Sequence, residues 1–282
     1  MKPSGVSEGS SIVVRDIDTV SDLRAVETLQ KEVWGCADLD VVPATLLLAG
    51  KEVGATIIGA YDSSLLVGFV YGFPGYENRH LTHHSHMLAV KPAYRNHDLG
   101  YQLKLAQRER VLAQGIDRVT WTFDPLQSLN AYFNFEKLGV VADSYKIDFY
   151  GEATSSFLHQ IGTDRLWVSW LLNSERVRSR LQGDEQPALS SDEILTLVQV
   201  DSDHAPRRNL SPKFLDQKYL AIEIPTDIND LHGRTPELAV EWREATRGAF
   251  TEALRLGYFV AEFSRSTVRK QSMGRYLLSY GS

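Results

Sequence analysis

The chain has 282 residues, with 30 Lys and Arg against 36 Asp and Glu, a formal net charge of −6 and one cysteine. This acidic balance, with no broad basic face, argues against a nucleic-acid binder. Cys36 alone cannot form an intrachain disulfide and suits a reducing, cytoplasmic setting. A composition of 43% hydrophobic and 23% charged residues is that of a soluble globular chain of about two domains.

Residues 1–11 are rich in Ser and Gly and read as a flexible N-terminus; neither a signal peptide nor an 18-residue apolar run is expected. Ile12–Ile17 reads as a first strand. A helix over Asp18–Trp34 follows, with Ser21 and Asp22 as its start signals. A short helix is expected over Pro43–Leu48. Ala55–Tyr61 and Leu65–Phe73 read as a hairpin through Asp62-Ser63-Ser64, ended by Pro74-Gly75.

Leu81–Val90 is the next strand. A Pro-bearing turn and a polar loop then lead into a helix from about Leu99 to Gln114, with Leu99, Leu103, Ala106 and Arg110 on one face and Gly115 behind it. Asp117–Phe123 is a strand closed by Asp124-Pro125, Leu129–Leu138 a helix stopped at Gly139, and Val140–Tyr150 one or two strands. The texture then changes. Leu166–Leu172, Ile194–Val200, Tyr219–Ile224, Tyr258–Ser264 and Tyr276–Leu278 read as strands, Asn173–Ser191 as a polar run, and Thr235-Pro236 as the start of a helix to Leu256. The fold class is α/β, a mixed sheet with one βαβ crossover, followed by an α+β second half.

Two features carry chemistry. A helix start approached by a loop, as at Arg95–Tyr101, offers unpaired N–H groups and a partial positive charge, which suit a phosphate or pyrophosphate. Just before it, His84 and His86 lie two residues apart on a strand and so share a face, while His83 points the other way. A histidine near its ordinary pKa can take a proton from an amine, directly or through water. Orientation of a substrate, a structural role and a metal site completed by Asp124 are the other readings of the pair.

Leu88-Ala89-Val90-Lys91-Pro92-Ala93-Tyr94-Arg95-Asn96-His97-Asp98-Leu99-Gly100 resembles the acyl-CoA-binding motif of the GNAT superfamily of N-acetyltransferases, a strand followed by Gln/Arg-x-x-Gly-x-Gly/Ala and a helix. Arg95 takes its first place and Gly100 its last, while Asp98 stands where a glycine is usual. Asn130-Ala131-Tyr132-Phe133 with Lys137-Leu138-Gly139 resembles the family's next motif, and the phrases Leu103–Glu109 and Thr120–Gln127 look like a large bacterial subgroup of predicted acetyltransferases.

The resemblance covers about Ile12–Gly151 and implies a GNAT-type, mostly antiparallel sheet flanked by helices. It leaves 152–282 as a C-terminal α+β domain, read either as a degenerate GNAT-like half, as a cover for the acceptor pocket or as a dimer contact. It implies acetyl-CoA or another acyl-CoA, succinyl-CoA among them, as co-substrate, no metal, and a small amine or amino acid as acceptor. The pyrophosphate would meet Arg95, Asn96, His97, Asp98, Leu99, Gly100 and Tyr101, the pantetheine would pair with Leu88, Ala89 and Val90, and Asn130 and Phe133 would complete the binding. His84 and His86 coincide with paired histidines of arylalkylamine N-acetyltransferases. The tyrosine that many relatives use to protonate the thiolate is replaced here by Phe135; the substitute is either Tyr132, three residues earlier on nearly the same helix face, or water or a residue of the C-terminal half, with Tyr132 then a packing residue. A non-catalytic acyl-CoA binder and a histidine-based metal hydrolase are the rival functions.

Overall fold

The structure is a computed structural model and describes residues 12–95, 97–151, 161–184, 194–201, 203–209, 217–268 and 271–281. These fall into two compact units, one reaching Trp121 and the other beginning at Thr122.

The first unit comprises β1 (Ile12–Asp16), α1 (Val20–Trp34), α2 (Ala44–Glu52), β2 (Thr56–Asp62), β3 (Leu65–Glu77), β4 (His80–Val90), α3 (Leu99–Ala113) and the start of β5 (Arg118–Phe123). The strands lie in the order β1-β2-β3-β4-β5, antiparallel up to β4 and parallel between β4 and β5. The parallel step requires a crossover, and α3 supplies it. Leu23, Val26 and Leu29 of α1 and Leu47 of α2 bury one sheet face with Ile57, Phe69, Met87 and Ala89. Leu99 and Leu103 of α3 bury the other with Ile58, Val67 and Val70, and Leu88 and Val90 pack against that second cluster.

Several expected boundaries move, each for a local reason. The cap of α1 is Thr19, whose hydroxyl accepts from Asp22 N at 3.1 Å; Ser21 and Asp22 lie in the first turn. Helix α2 continues to Glu52 instead of Leu48. β3 does not end at Pro74-Gly75. Its pairing with β2 stops at Thr56 opposite Gly72, so Pro74 has no β2 ladder to break and continues opposite His83. The turn is made at Asn78 and Arg79, both at positive φ (50° and 67°), which suits a tight hairpin. On α3 the residues buried beside Leu99 and Leu103 are Lys104, Gln107 and Val111, whereas Arg110, expected on the inner face, pairs with Asp16 at 3.1 Å.

Gly72 sits where these layers are tightest. A methyl group there would meet His83 Nε2 at 2.5 Å, Gln107 Nε2 at 2.8 Å and the His84 carbonyl at 2.8 Å. Because one of these is backbone and the others belong to a buried network, Gly72→Ala is expected to lower stability by about 2–3 kcal/mol, read from the urea midpoint.

The second unit comprises the end of β5, α4 (Ser128–Tyr132), β6 (Val141–Lys146), β7 (Arg165–Leu171), α5 (Glu175–Gln182), β8 (Ile194–Val200), β9 (Pro206–Arg208), β10 (Tyr219–Pro225), α6 (Ile228–Arg234), α7 (Pro236–Arg255), β11 (Tyr258–Val268) and β12 (Gln271–Tyr280). Its strands run β7-β6-β11-β12-β10-β8-β9, antiparallel except for β8 and β10. The helix expected over Leu129–Leu138 is interrupted: α4 passes into a wider π-helical turn at Phe133–Lys137. The run expected to be merely polar contains α5, capped by Ser174, whose hydroxyl accepts from Val177 N at 3.3 Å; its stretch 185–191 lies outside the described residues. Thr235, expected as a side-chain cap, joins α6 to α7 and makes no capping hydrogen bond. Phe135 is fully buried, edge-on to Phe123 and Tyr276, and Tyr276 also packs on Phe250 and Phe263. The chain is thus mixed α/β with mostly antiparallel strands, and among the described residues no single helix is long and apolar enough to cross a membrane.

Candidate active site

The centre of the first unit is an irregularity in β4. Met87 is opposite Tyr71 and Ser85 is opposite Gly72, which leaves His86 as the extra residue of a β-bulge. Such a bulge re-aims side chains and is common beside functional sites. Below it, His83 and Ser85 face α3, while His84 faces the α1 side. Above it the sense is reversed: Leu88 and Val90 join the α3 cluster, and Met87 and Ala89 the α1 cluster.

His84 and His86 do share a face. Their ring centroids are 6.2 Å apart, and Phe73 lies against both, at 5.6 and 6.0 Å. His84 Nδ1 is 3.3 Å from Thr120 Oγ1 on β5. Desolvation, then the neighbouring His86 and Lys104, push the His84 pKa down to about 4; desolvation lowers that of His86 as well. A histidine whose pKa is lowered is neutral above that lowered value, so His84 is uncharged at neutral pH. In an acyl transfer to an amine, the acid limb of the pH–rate profile is therefore expected to belong to the amine. Exchanging it for an amine of lower pKa should move the limb by the same amount; a limb fixed near 6.5 for both amines would contradict this assignment.

His83 is a structural residue. It is fully buried, its Nε2 stands 3.0 Å from Thr56 Oγ1, and burial drives its pKa to about 3. Gln107 Nε2 donates to the same hydroxyl at 3.2 Å, and its Oε1 accepts from Ser85 Oγ at 2.8 Å and from Lys104 Nζ at 3.0 Å. Lys104 Nζ also donates to Ser85 Oγ at 2.9 Å and lies 3.8 Å from the centre of the Trp121 ring.

β4 and β5 are registered only at His83 opposite Val119 and His84 opposite Thr120. Beyond these pairs the β5-facing edge of Ser85–Val90 lies outside the ladder, while the other edge of Leu88–Val90 pairs with Gly68–Val70. The strand runs out into the helix start. Lys91 N donates to Val67 O at 2.8 Å, Tyr94 donates to Asp62 Oδ2 at 2.8 Å, and the exposed Arg95 reaches back with Nε to Val90 O at 3.4 Å. Asp98 occupies the N-cap position in left-handed geometry (φ 52°), and its exposed side chain makes no capping hydrogen bond. Leu99 is buried, His97 is exposed, and burial and the Asp98 carboxylate raise the pKa of the half-buried Tyr101. At Gly100 a methyl group would meet only Leu88 Cδ2 within 4 Å, at 3.8 Å, so the chain's own packing does not demand glycine there. Asn96 lies outside the described residues.

An unladdered strand edge leading through a polar turn into a helix with glycine in its first turn suits a ligand with an extended amide arm and a pyrophosphate. The model of the acetyltransferase (GNAT) family matches residues 23–140, which span all of these elements. The chain contains a GNAT acetyltransferase domain. None of the curated proteins compared with the chain matches it. Among solved structures it is similar to a GNAT-family acetyltransferase from Streptococcus pneumoniae (15% identity, 56% of this chain and 98% of that one, TM-score 0.45). It is also similar to the ribosomal-protein-S18-alanine N-acetyltransferase from Escherichia coli (12%, 58% and 96%, 0.45) and to the aminoglycoside 6'-N-acetyltransferase from Enterococcus faecium (16%, 58% and 98%, 0.45). The GNAT family implies acyl-CoA-dependent acyl transfer, and in this domain the open strand edge and bare helix start fit such a co-substrate.

The remaining residues expected in the GNAT site belong to the second unit. Asn130 is exposed on α4, Tyr132 is 37% exposed with Arg265 5.2 Å from the centre of its ring, and Phe133 opens the π-helical turn, half-buried. Asp124 is not placed to serve a substrate amine or a metal. Its Oδ1 accepts from Leu126 N at 2.9 Å and its Oδ2 from the buried Arg243 Nη2 at 2.7 Å. Among the described residues no three His, Cys, Asp or Glu side chains converge to hold a metal ion. Sequence reasoning missed Phe73, Ser85, Lys104, Gln107 and Thr120. A signal was available for two of them: Lys104 and Gln107 fall between Gly100 and Val111 at helical spacing, on the stripe that faces the sheet.

Proposed function

We propose that the chain is an acyl-CoA-dependent N-acyltransferase that transfers an acyl group, acetyl first and succinyl as the alternative, to a small amine or amino acid. The observation that carries this reading is the bulge at His86, which sets a pair of neutral histidines beside an unladdered strand edge that ends at a bare helix start. The amine nitrogen attacks the thioester carbonyl carbon, the C–S bond breaks, and the electron pair leaves on sulfur as the CoA thiolate. His84, with His86, accepts the proton that the amine loses, and the backbone amide near Leu88 polarises the carbonyl. The N–H groups of Leu99–Tyr101 and the Arg95 guanidinium receive the pyrophosphate, and the missing side chain at Gly100 lets it approach. The proposal keeps a domain boundary at 151/152, a cytoplasmic location and a homodimer as parts of the same reading.

The test is a thiol-release assay with acetyl-CoA and succinyl-CoA against a panel of amines and amino acids, run beside thermal unfolding with CoA or ATP. Amine-dependent thiol release and a midpoint raised by CoA alone support the proposal. A raised midpoint with no thiol release across the panel overturns it in favour of a non-catalytic binder, and stoichiometric zinc with loss of activity on chelation would favour a hydrolase.

A further inference from the structure

The buried lysine of α3 has no part in the reaction as described so far. Lys104 is 2% exposed, and its ammonium is held between Ser85 on β4 and Trp121 on β5. These are the residues that immediately follow the last registered pair, His84 opposite Thr120. The amine therefore lies on the α3 side of β4, beside the point where the β5-facing edge of that strand leaves the ladder. Other buried positions on the same helix are Leu99, Leu103, Gln107 and Val111, and an apolar side chain of similar length would fill this one at lower cost than a charge.

We propose that Lys104 is a positioning residue of acyl transfer: its ammonium, on the α3 side of β4 where the strand leaves the ladder, acts on His84 and on the negative charge that the reaction develops beside the freed edge of β4. The inference rests on the acyl-transfer reading above. The charge of Lys104 acts on both His83 and His84 and disfavours a second positive charge on either ring, so it helps to keep the acceptor of the amine proton neutral. The groups on its side of the sheet are His83 and Ser85 from β4, Thr56 from β2, Gln107 from its own helix and Trp121 from β5, and His84 acts on it from the opposite face of β4. Burial lowers the pKa of Lys104 itself from 10.5 to about 7. An amine whose folded pKa is depressed costs stability fully below that folded value, and the cost fades as pH rises toward the unfolded one. Retaining it under that cost is what a functional charge predicts.

The test uses Lys104→Met and Lys104→Gln in the full chain. The expected result for both is kcat about ten-fold lower or more with an unchanged KM for acetyl-CoA, and an upward shift of the His84 titration followed by NMR of histidine-labelled protein. Lys104→Met should also raise the melting temperature at pH 7, with the gain shrinking toward pH 10.5. Unchanged kcat, a fall in kcat matched by loss of acetyl-CoA affinity, or a His84 titration identical to wild type would each overturn the inference. If the wild-type chain releases no thiol with any acyl-CoA and amine, the functional reading fails on its own, and the His84 titration still decides whether Lys104 acts on that ring.

Discussion

Changing His84 and His86 together to glutamine is expected to lower kcat by about 10²- to 10⁴-fold, the usual worth of a positioned general base, and to leave the CoA-induced rise in melting temperature intact. The separation follows from the bulge. His84 and His86 lie on the α1 side, whereas the residues anchoring the strand edge and the helix start, Leu88, Val90, Leu99 and Leu103, belong to the α3 cluster. Glutamine keeps a polar group of similar reach against Phe73 and Thr120 but cannot accept a proton near neutrality. Loss of turnover with CoA binding kept, measured by thiol release and thermal shift on the same preparation, supports proton transfer. Loss of both would make the pair part of the binding surface instead.

The largest effect on stability is expected at Arg243. Its side chain is 4% exposed and that of Asp124 6%, with Nη2 donating to Oδ2 at 2.7 Å and Nε donating to Ile161 O at 3.1 Å. Asp124 itself pins the Pro125 turn by accepting from Leu126 N, and Pro125 O accepts from the buried Tyr276 hydroxyl at 2.6 Å. Removing the guanidinium strands a buried carboxylate, so Arg243→Ala should cost about 3–5 kcal/mol in urea unfolding. Replacing both partners by apolar residues of similar volume should recover much of that loss. If the single and double variants are equally unstable, the packing of the side chain dominates and the charge pair does not.

How much of this was legible in the sequence depended on whether the governing interaction was local. The strand, loop and helix around Arg95–Tyr101 were readable because turn residues and helical spacing lie within a few positions of one another. The long hairpin was misread at Pro74, because whether a proline breaks a strand depends on where the neighbouring strand ends, and β2 is distant in sequence. The role of Asp124 was open in the sequence; its partner Arg243 lies 119 residues away. The inner face of α3 was predicted by hydrophobic spacing, so a lysine and a glutamine that bond to one another and to Ser85 escaped notice. That His84 and His86 share a face was anticipated from period-two alternation, yet the same rule would also place Leu88 beside them. Leu88 lies on the opposite side, because His86 is an inserted residue.

That insertion has a consequence for how such a strand can change over time. A regular strand couples every second residue, so altering its length or rewriting one face disturbs the other end as well. Here the bulge isolates the two halves. Substitutions at His84 and His86 alter what the strand presents toward α1 without moving the packing of Leu88 and Val90 under α3. In the proposed function, the segment that grips the donor can stay fixed while the segment that meets the acceptor drifts, so that new acceptor chemistry can arise on an unchanged acyl-CoA platform.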